Sequence, residues 1–361
     1  MDVYRKGSLL LAALATFTLA GPAQSAAFVD PLDVPAMKSP LAGKSPANAV
    51  TMAGRRLVGV GQRGHILYSD DQGKSWTQAS VPVSSDLTAV TFVTPEKGWA
   101  VGHDGVVLAT TDGGANWVRQ LDGRALGKTL LAAEAPAGLA ANVAEQRQAD
   151  LERLAEQGAS NPFLGVFFED ENTGYVFGSF NLILKTTDGG KSWASWFDRT
   201  DNPSLMGFFA MRPVDGELFL VGEQGLVLKY DRQAGRFRAL ALPYKGTLFG
   251  VTGKAGVVIV HGLRGSVYRS TDKGATWRRI DVGLKDGVTA ADVTPDGRIV
   301  LASQVGQIVV SNDDGATFAP LAVSGPRLPV AGVVADSKDS LVIAGIKGLR
   351  PLTNAATGSK E

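Results

Sequence analysis

The 361-residue chain carries 36 basic and 35 acidic residues, a formal charge of +1 and no cysteine. Balanced charge argues against nucleic acid as the main partner, and the missing thiols exclude disulfides, thiolate metal sites and a lipid-modified cysteine anchor. Stability must therefore come from packing.

Residues 1–25 read as a secretory signal peptide. Arg5 and Lys6 precede an apolar run, and the small residues Ala23, Ser25 and Ala26 mark the cleavage region. The run is shorter than the roughly 20 apolar residues that span a bilayer. The mature chain is expected to begin near Ala26, in the periplasm, or in the thylakoid lumen of a photosynthetic host. Losing Asp2, Arg5 and Lys6 leaves the two signs of charge equal.

Residues 26–352 are then organised by one repeat. A Gly-x-x-Gly-like hairpin recurs at Gly61, Gly102, Gly178, Gly222, Gly262, Ser303 and Gly345, in steps of 41, 76, 44, 40, 41 and 42 residues. After most copies comes Ser/Thr-x-Asp-x-Gly-x-Ser/Thr-Trp, anchored on Asp71, Asp112, Asp188, Asp272 and Asp313, with a stretched copy at Asp231. A fixed period near 40 residues marks a solenoid, propeller or array. The second repeat shows the content of one unit: an alternating strand over Leu87–Thr94, a strand over Trp99–Gly102, a tight turn at His103-Asp104, a strand over Gly105–Thr110 and a fourth beginning at Trp117. Four antiparallel strands make one propeller blade. The predicted fold is all-β, a seven-bladed β-propeller of four-stranded antiparallel blades with a helical insertion between blades 2 and 3.

Within the repeat, the hairpin glycines are read as positions that need positive φ, with Asn181 replacing one of them. Each aspartate is read as a local turn device, and Trp76, Trp117, Trp193, Trp277 and Phe318 as apolar filling between neighbouring blades. A calcium reading is weaker, since most copies bring one carboxylate to a site that needs 6 to 8 oxygens. No metal and no cofactor are expected.

The long step of 76 residues contains an insertion over residues 121–161. Leu139, Val143, Leu151 and Leu154 recur there at helical intervals. A short helix is predicted near Lys128–Ala135, then a break at Pro136-Ala137-Gly138, then a longer helix ending by Gly158. Packing on the propeller rim is favoured over a partner-docking arm. The seventh copy ends without the Asp motif or a fourth strand, and residues 353–361 are a tail. Phe28–Pro40, with Pro31, Pro35 and Pro40, is the expected source of the missing outer strand, since prolines suit an edge.

The hairpin with its Asp motif is the Asp-box, or bacterial neuraminidase repeat. Val101-Gly102-His103-Asp104-Gly105 followed by Thr110-Thr111-Asp112-Gly113-Gly114-Ala115-Asn116-Trp117 resembles the photosystem II stability/assembly factor family, as does Val221-Gly222-Glu223-Gln224-Gly225. The resemblance spans about residues 50–350. It implies a seven-bladed propeller acting without catalysis as a chaperone-like partner of a membrane protein complex, or as accessory to a resistance-nodulation-division (RND) type transporter. The family's arginine-rich docking patch is carried over to Arg63 and Arg264 only.

Strand order places the hairpin turns and the interblade connections on one face and the Asp turns on the other. Rigid scaffolds commonly present recognition loops, so the candidate partner-binding residues are Arg63, His103, Asp104, Phe180, Arg199, Glu223, Arg264, Gln304 and Lys347. A monomer is expected when the protein is free, with a membrane protein complex or its subunits as partner. The rival reading is a carbohydrate-binding or sialidase-like propeller. Sialidases, however, carry an early Arg-Ile-Pro element and three arginines clamping the sugar carboxylate, whereas here Arg327-Leu328-Pro329 comes late. No nucleophile elbow, phosphate loop or zinc spacing of His65, His103 and His261 points to an enzyme.

Overall fold

In the computed structural model, residues 29–323, 326–337 and 340–353 are described, so the predicted signal peptide and the tail beyond Thr353 lie outside the described residues. Seven antiparallel sheets are arranged in a ring. Blade 1 comprises Ala47–Ala53, Arg56–Gly61, Ile66–Ser69 and Thr77–Gln78; blade 2, Leu87–Phe92, Gly98–Gly102, Val107–Thr110 and Val118–Leu121; blade 3, Phe163–Phe168, Gly174–Gly178, Ile183–Thr186 and Ala194–Ser195. Blade 4 comprises Phe208–Val214, Glu217–Gly222, Val227–Asp231 and Arg236–Leu240; blade 5, Leu248–Lys254, Val257–Gly262, Val267–Ser270 and Arg278–Arg279; blade 6, Val288–Val293, Ile299–Ser303, Ile308–Ser311 and Ala319–Pro320. Blade 7 has three described strands, Val330–Ala335, Ser340–Gly345 and Gly348–Thr353. The seven-bladed propeller expected from the repeat is the observed fold.

The core is not one mass but a set of seams. Trp117 joins Val58, Val60 and Leu108 between blades 1 and 2, Trp193 packs with Trp99 and Phe168 between blades 2 and 3, and Trp76 packs against Val334 and Val342 of blade 7. A second strand such as Gly98–Gly102 is buried at every position because neighbouring blades cover both of its faces.

The hairpin glycines divide into two roles, which corrects the expectation of positive φ for both. The first is extended, at φ −166° in Gly61, and a Cβ there would collide with the carbonyl oxygen of Pro46. That approach follows from a bulge at the start of the innermost strand, seen as a register shift between Ala47 and Ala49. Positive φ falls instead on the later pair, Arg63 at 55° and Gly64 at 70°. Ser303 holds the first position in blade 6, where its neighbour Gln304 still donates its N–H to the Gly287 carbonyl at 2.8 Å.

The insertion forms two helices, α1 (Gly123–Leu131) and α2 (Ala141–Gln157). The first starts five residues before the predicted Lys128, because the Asp122 side chain accepts the Arg124 N–H and caps the helix as it leaves the outer strand of blade 2. Leu126, Leu130, Leu151 and Leu154 pack with Phe163, Leu182 and Phe197 on the seam between blades 2 and 3. Of the predicted stripe, Leu151 and Leu154 are buried while Leu139 and Val143 are exposed. The turn between them carries Arg147 inward instead.

The segment expected to complete blade 7 lies elsewhere. Leu32 and Ala36 pack in the seam of blades 1 and 2, Ala36 donates its N–H to Val81 O at 3.0 Å, and Arg124 binds Asp30 and Asp33 at 2.7 Å each. Residues 29–40 therefore lie along blade 1 and supply no strand to blade 7. The later stretch Ala42–Lys44 reaches that blade: Ala42 packs with Leu349, and Gly348 abuts the Gly43 carbonyl as Gly265 abuts that of Leu284 in blade 5. This stretch thus takes the place of an interblade connection.

Candidate partner-binding face

In blades 1, 2, 4 and 5 the hairpin turn on the connection face is a 3-10 turn closed by a backbone bond, such as His65 N–H to Gln62 O at 3.0 Å, while blades 3, 6 and 7 use ordinary turns. Arg63, Asp104, Phe180, Gln224 and Arg264 occupy left-handed φ between 51° and 58° in these turns, so their side chains project from a fixed backbone. Val305, Ile346 and Lys347 do not take positive φ, as β-branching disfavours it in the first two.

The structure distributes the nine candidates unevenly. Arg63, His103, Phe180, Arg199, Arg264, Gln304 and Lys347 are exposed, while Asp104 and Glu223 are half-buried. Glu223 is committed to the scaffold: its Oε2 accepts the Gly207 N–H at 2.8 Å. Arg63 donates its backbone N–H to Asp86 Oδ1 at 2.7 Å, leaving its guanidinium outward. Among the described residues, the side chains of Arg63, Arg264 and Lys347 have no hydrogen-bond or ion-pair partner. Blade 6 places Gln304 and Val305 between Arg264 and Lys347, so the cations alternate with polar and apolar groups. Leu263, Val305 and Ile346, exposed on consecutive blades 5, 6 and 7, add an apolar arc that the charge-based reading missed.

The insertion joins this face. Arg153 of α2 stands over the Phe180 ring at 5.9 Å, and Arg147 binds Asp198 of the next connection at 2.7 Å. Between the loop after α1 and the outer strand of blade 3 runs a groove of about 610 Å³, lined by Ala133, Pro136, Trp193, Ser195, Arg199 and Arg236 among others. Arg199 is thus brought beside the insertion, a juxtaposition that sequence separation conceals.

A further residue was missed inside the ring. Arg212, on the innermost strand of blade 4, lines a central cavity of about 230 Å³ with Phe209, Phe249 and His261. Its guanidinium meets channel solvent yet is ringed by strands; this desolvation lowers its pKa, against the pull of Asp292. Aligning the repeats on the bulge would have revealed it, since Thr51, Thr91 and Thr252 occupy the same place in other blades. His261 is itself committed, its Nδ1 lying 2.8 Å from Val288 O.

On the opposite face the Asp turns repeat one bonding pattern. Ser69 Oγ donates to Asp71 Oδ1 at 2.7 Å, Ser75 N–H donates to the same oxygen at 2.9 Å and Ser75 Oγ to Oδ2 at 2.6 Å. Asp188, Asp272 and Asp313 repeat this set, and Asp112 does so with Asn116. Donation by Ser75 holds Asp71 at about 2, and equivalent donors hold Asp188, Asp272 and Asp313 at about 2. Carboxylates filled by local donors are poor candidates for recognition, which leaves the hairpin face as the variable one. Among the described residues no three His, Asp or Glu side chains converge as a metal site.

The sequence profile described as Photosynthesis system II assembly factor YCF48 matches residues 68–133 and 144–332. The chain belongs to the YCF48 family. It is 26% identical over 196 residues to the photosystem II assembly lipoprotein Ycf48 of Synechococcus sp. (strain CC9902), a match covering 52% of this chain and 57% of that protein. A 46-residue stretch is 48% identical to the chloroplastic photosystem II stability/assembly factor HCF136 of Guillardia theta, covering 12% of each. The chain thus spans little more than half the length of the first of these relatives and far less of the second. Among solved structures, YCF48 bound to D1 peptide superposes with a TM-score of 0.61 at 16% identity, over 88% of this chain and 95% of that one. At that identity the likeness concerns the fold. The YCF48 propeller shared by these proteins therefore supplies the frame, and the residues on its turns are this chain's own. No helix among its described residues is long and apolar enough to cross a membrane.

Proposed function

We propose that this YCF48-family protein is a non-catalytic interaction factor, exported to the periplasm or, in a photosynthetic host, the lumen, that binds segments of a membrane protein complex and assists its assembly or stability. The observation that carries this reading is the division of labour between the two faces. The Asp turns consume their polar groups internally, whereas the hairpin turns hold Arg63, Arg264 and Lys347, unpaired among the described residues, beside exposed Leu263, Val305 and Ile346 on a rigid frame. Mixed cationic and apolar surface suits a polypeptide segment carrying both acidic and apolar side chains. Family membership supports an assembly role, and the relative solved with a D1 peptide supports a membrane-protein segment as the ligand class.

Crosslinking in the native compartment followed by mass spectrometry tests the reading. Recovery of one inner-membrane complex is expected, reduced at least tenfold by the triple variant Arg63→Glu, Arg264→Glu, Lys347→Glu with its melting temperature unchanged. Capture of soluble proteins or glycans alone, or full capture by the triple variant, refutes it.

A further inference from the structure

Blade 7 stops at three strands among the described residues, and the consequences collect at one place. In blades 1, 3, 5 and 6 the first residue of the third strand gives its carbonyl to the chain just after the fourth: Ala79 N–H to Ile66 O, Trp196 to Ile183, Ile280 to Val267 and Leu321 to Ile308, each at 2.9 Å. Pairing with the residue before the hairpin makes Leu349 the equivalent in blade 7, since Val60 pairs with Ile66 and Ala344 with Leu349. Alternation along the strand then turns the main-chain groups of Leu349, and the Pro351 carbonyl, away from Ser340–Gly345. No described residue pairs with that edge.

The seam beside the edge is underfilled. Between blades 5 and 6 the connection residues Ile280 and Val282 are 5% and 3% exposed, covered in part by Phe318. Their counterparts between blades 6 and 7, Leu321 and Val323, are only half-buried, and the core cluster of that seam contains no aromatic side chain. A cavity of about 400 Å³ lies there, lined by Ile308, Phe318, Leu321, Val323, Leu328 and Leu352. Arg327 and Arg350 also line it, and neither has a hydrogen-bond or ion-pair partner among the described residues.

We propose that blade 7 is completed in trans: an extended segment of a partner polypeptide adds as the fourth strand along Gly348–Thr353, sets a large apolar side chain in the cavity and presents a carboxylate to Arg350 and Arg327. The open edge selects an extended main chain, the cavity selects the side chain, and the two cations select the flanking charge. The chain's own next residues, Asn354–Glu361, are a poor fit because they contain no aromatic or branched apolar side chain. Pro351 has no N–H and removes one bond from the edge, which disfavours long indiscriminate pairing and favours a short segment anchored by its side chains. This site adjoins the hairpin face at Leu328, whose carbonyl abuts Gly306 of the blade 6 hairpin, but its lining includes none of Arg63, Arg264 and Lys347.

The test uses the full protein and two synthetic peptides, capped Glu-Val-Trp-Val-Glu and its fully N-methylated form, with binding followed by tryptophan fluorescence and amide exchange by NMR. The unmethylated peptide should slow exchange at the Leu349 amide at least tenfold, the methylated one should not bind, and Arg350→Glu should weaken binding at least fivefold without altering the melting temperature. Absence of binding at millimolar peptide, unchanged exchange at Leu349 or equal binding of the methylated peptide overturns the proposal. So does protection of Leu349 in the free protein that disappears when residues 354–361 are removed, because the tail would then hold the edge. Variants of Arg63, Arg264 and Lys347 should leave peptide binding intact, which separates this outcome from the fate of the hairpin-face reading.

Discussion

Arg147 of α2 meets Asp198 of the connection between blades 3 and 4 at 2.7 Å, with the arginine side chain 7% exposed, and its Nη2 also donates to Ala133 O and Glu134 O. One guanidinium thus ties the long helix, the end of the short helix and the propeller rim together. Removing one member of a buried pair strands the other, a cost of about 3–5 kcal/mol when burial is complete. Arg147→Met is expected to cost about 2–3 kcal/mol, less because Asp198 is partly solvated. Denaturant unfolding measures it, and amide exchange should show the loosening confined to residues 123–160.

Trp99 and Phe168 stack at 3.5 Å between ring centres, 5° from parallel, in the seam of blades 2 and 3. Trp99 is fully buried and its Nε1 donates to Gly189 O at 3.3 Å. Trp99→Ala should cost about 3–5 kcal/mol, the range for a large aromatic removed from a packed core. A loss under 1 kcal/mol in urea unfolding would contradict the seam as a source of stability.

His261 is wholly buried, and desolvation lowers its pKa to about 4 although its contact with Val288 O pulls the other way. A folded pKa below the unfolded 6.5 means the unfolded chain binds more protons between those values. Stability from this group is complete above pH 6.5 and declines as pH falls towards 4, by on the order of 3 kcal/mol. Unfolding free energies at pH 7, 6, 5 and 4 should show that slope in the native protein and a shallower one in His261→Gln.

The Asp turns act in a lower window. Asp71, Asp188, Asp272 and Asp313 sit at about 2 against an ordinary 3.8, held down first by the hydroxyl of Ser75, Ser192, Thr276 or Thr317. Their contribution is present above pH 3.8 and is lost as pH falls through 2. Replacing Asp272 by Asn should flatten the acid limb between pH 4 and 2 without moving the slope due to His261, which circular dichroism across a pH series can separate.

Gly222 and Gly43 form a matched pair of alanine sites. A Cβ on Gly222 would collide with the Gly207 carbonyl at the strand bulge, while one on Gly43 meets nothing within 4 Å. Gly222→Ala should lose about 1–3 kcal/mol, as an overpacked site does. Gly43→Ala should fall within about 0.5 kcal/mol of the parent in the same unfolding assay.

The seven hairpin positions and five Asp motifs determined the blade count, the strand order and the two faces before any contact was known, because repetition converts local turn chemistry into global architecture. Tertiary structure decided what depends on distant groups meeting. It assigned the first hairpin glycine to a close carbonyl rather than to positive φ, turned Arg147 inward instead of Val143, committed Glu223 to the scaffold and placed Arg212 in the channel. It also moved residues 29–40 to blade 1 and left the edge of blade 7 without a described partner. Closure of a ring is a property of its two ends in space, and no local pattern in the chain encodes which surfaces those ends will find.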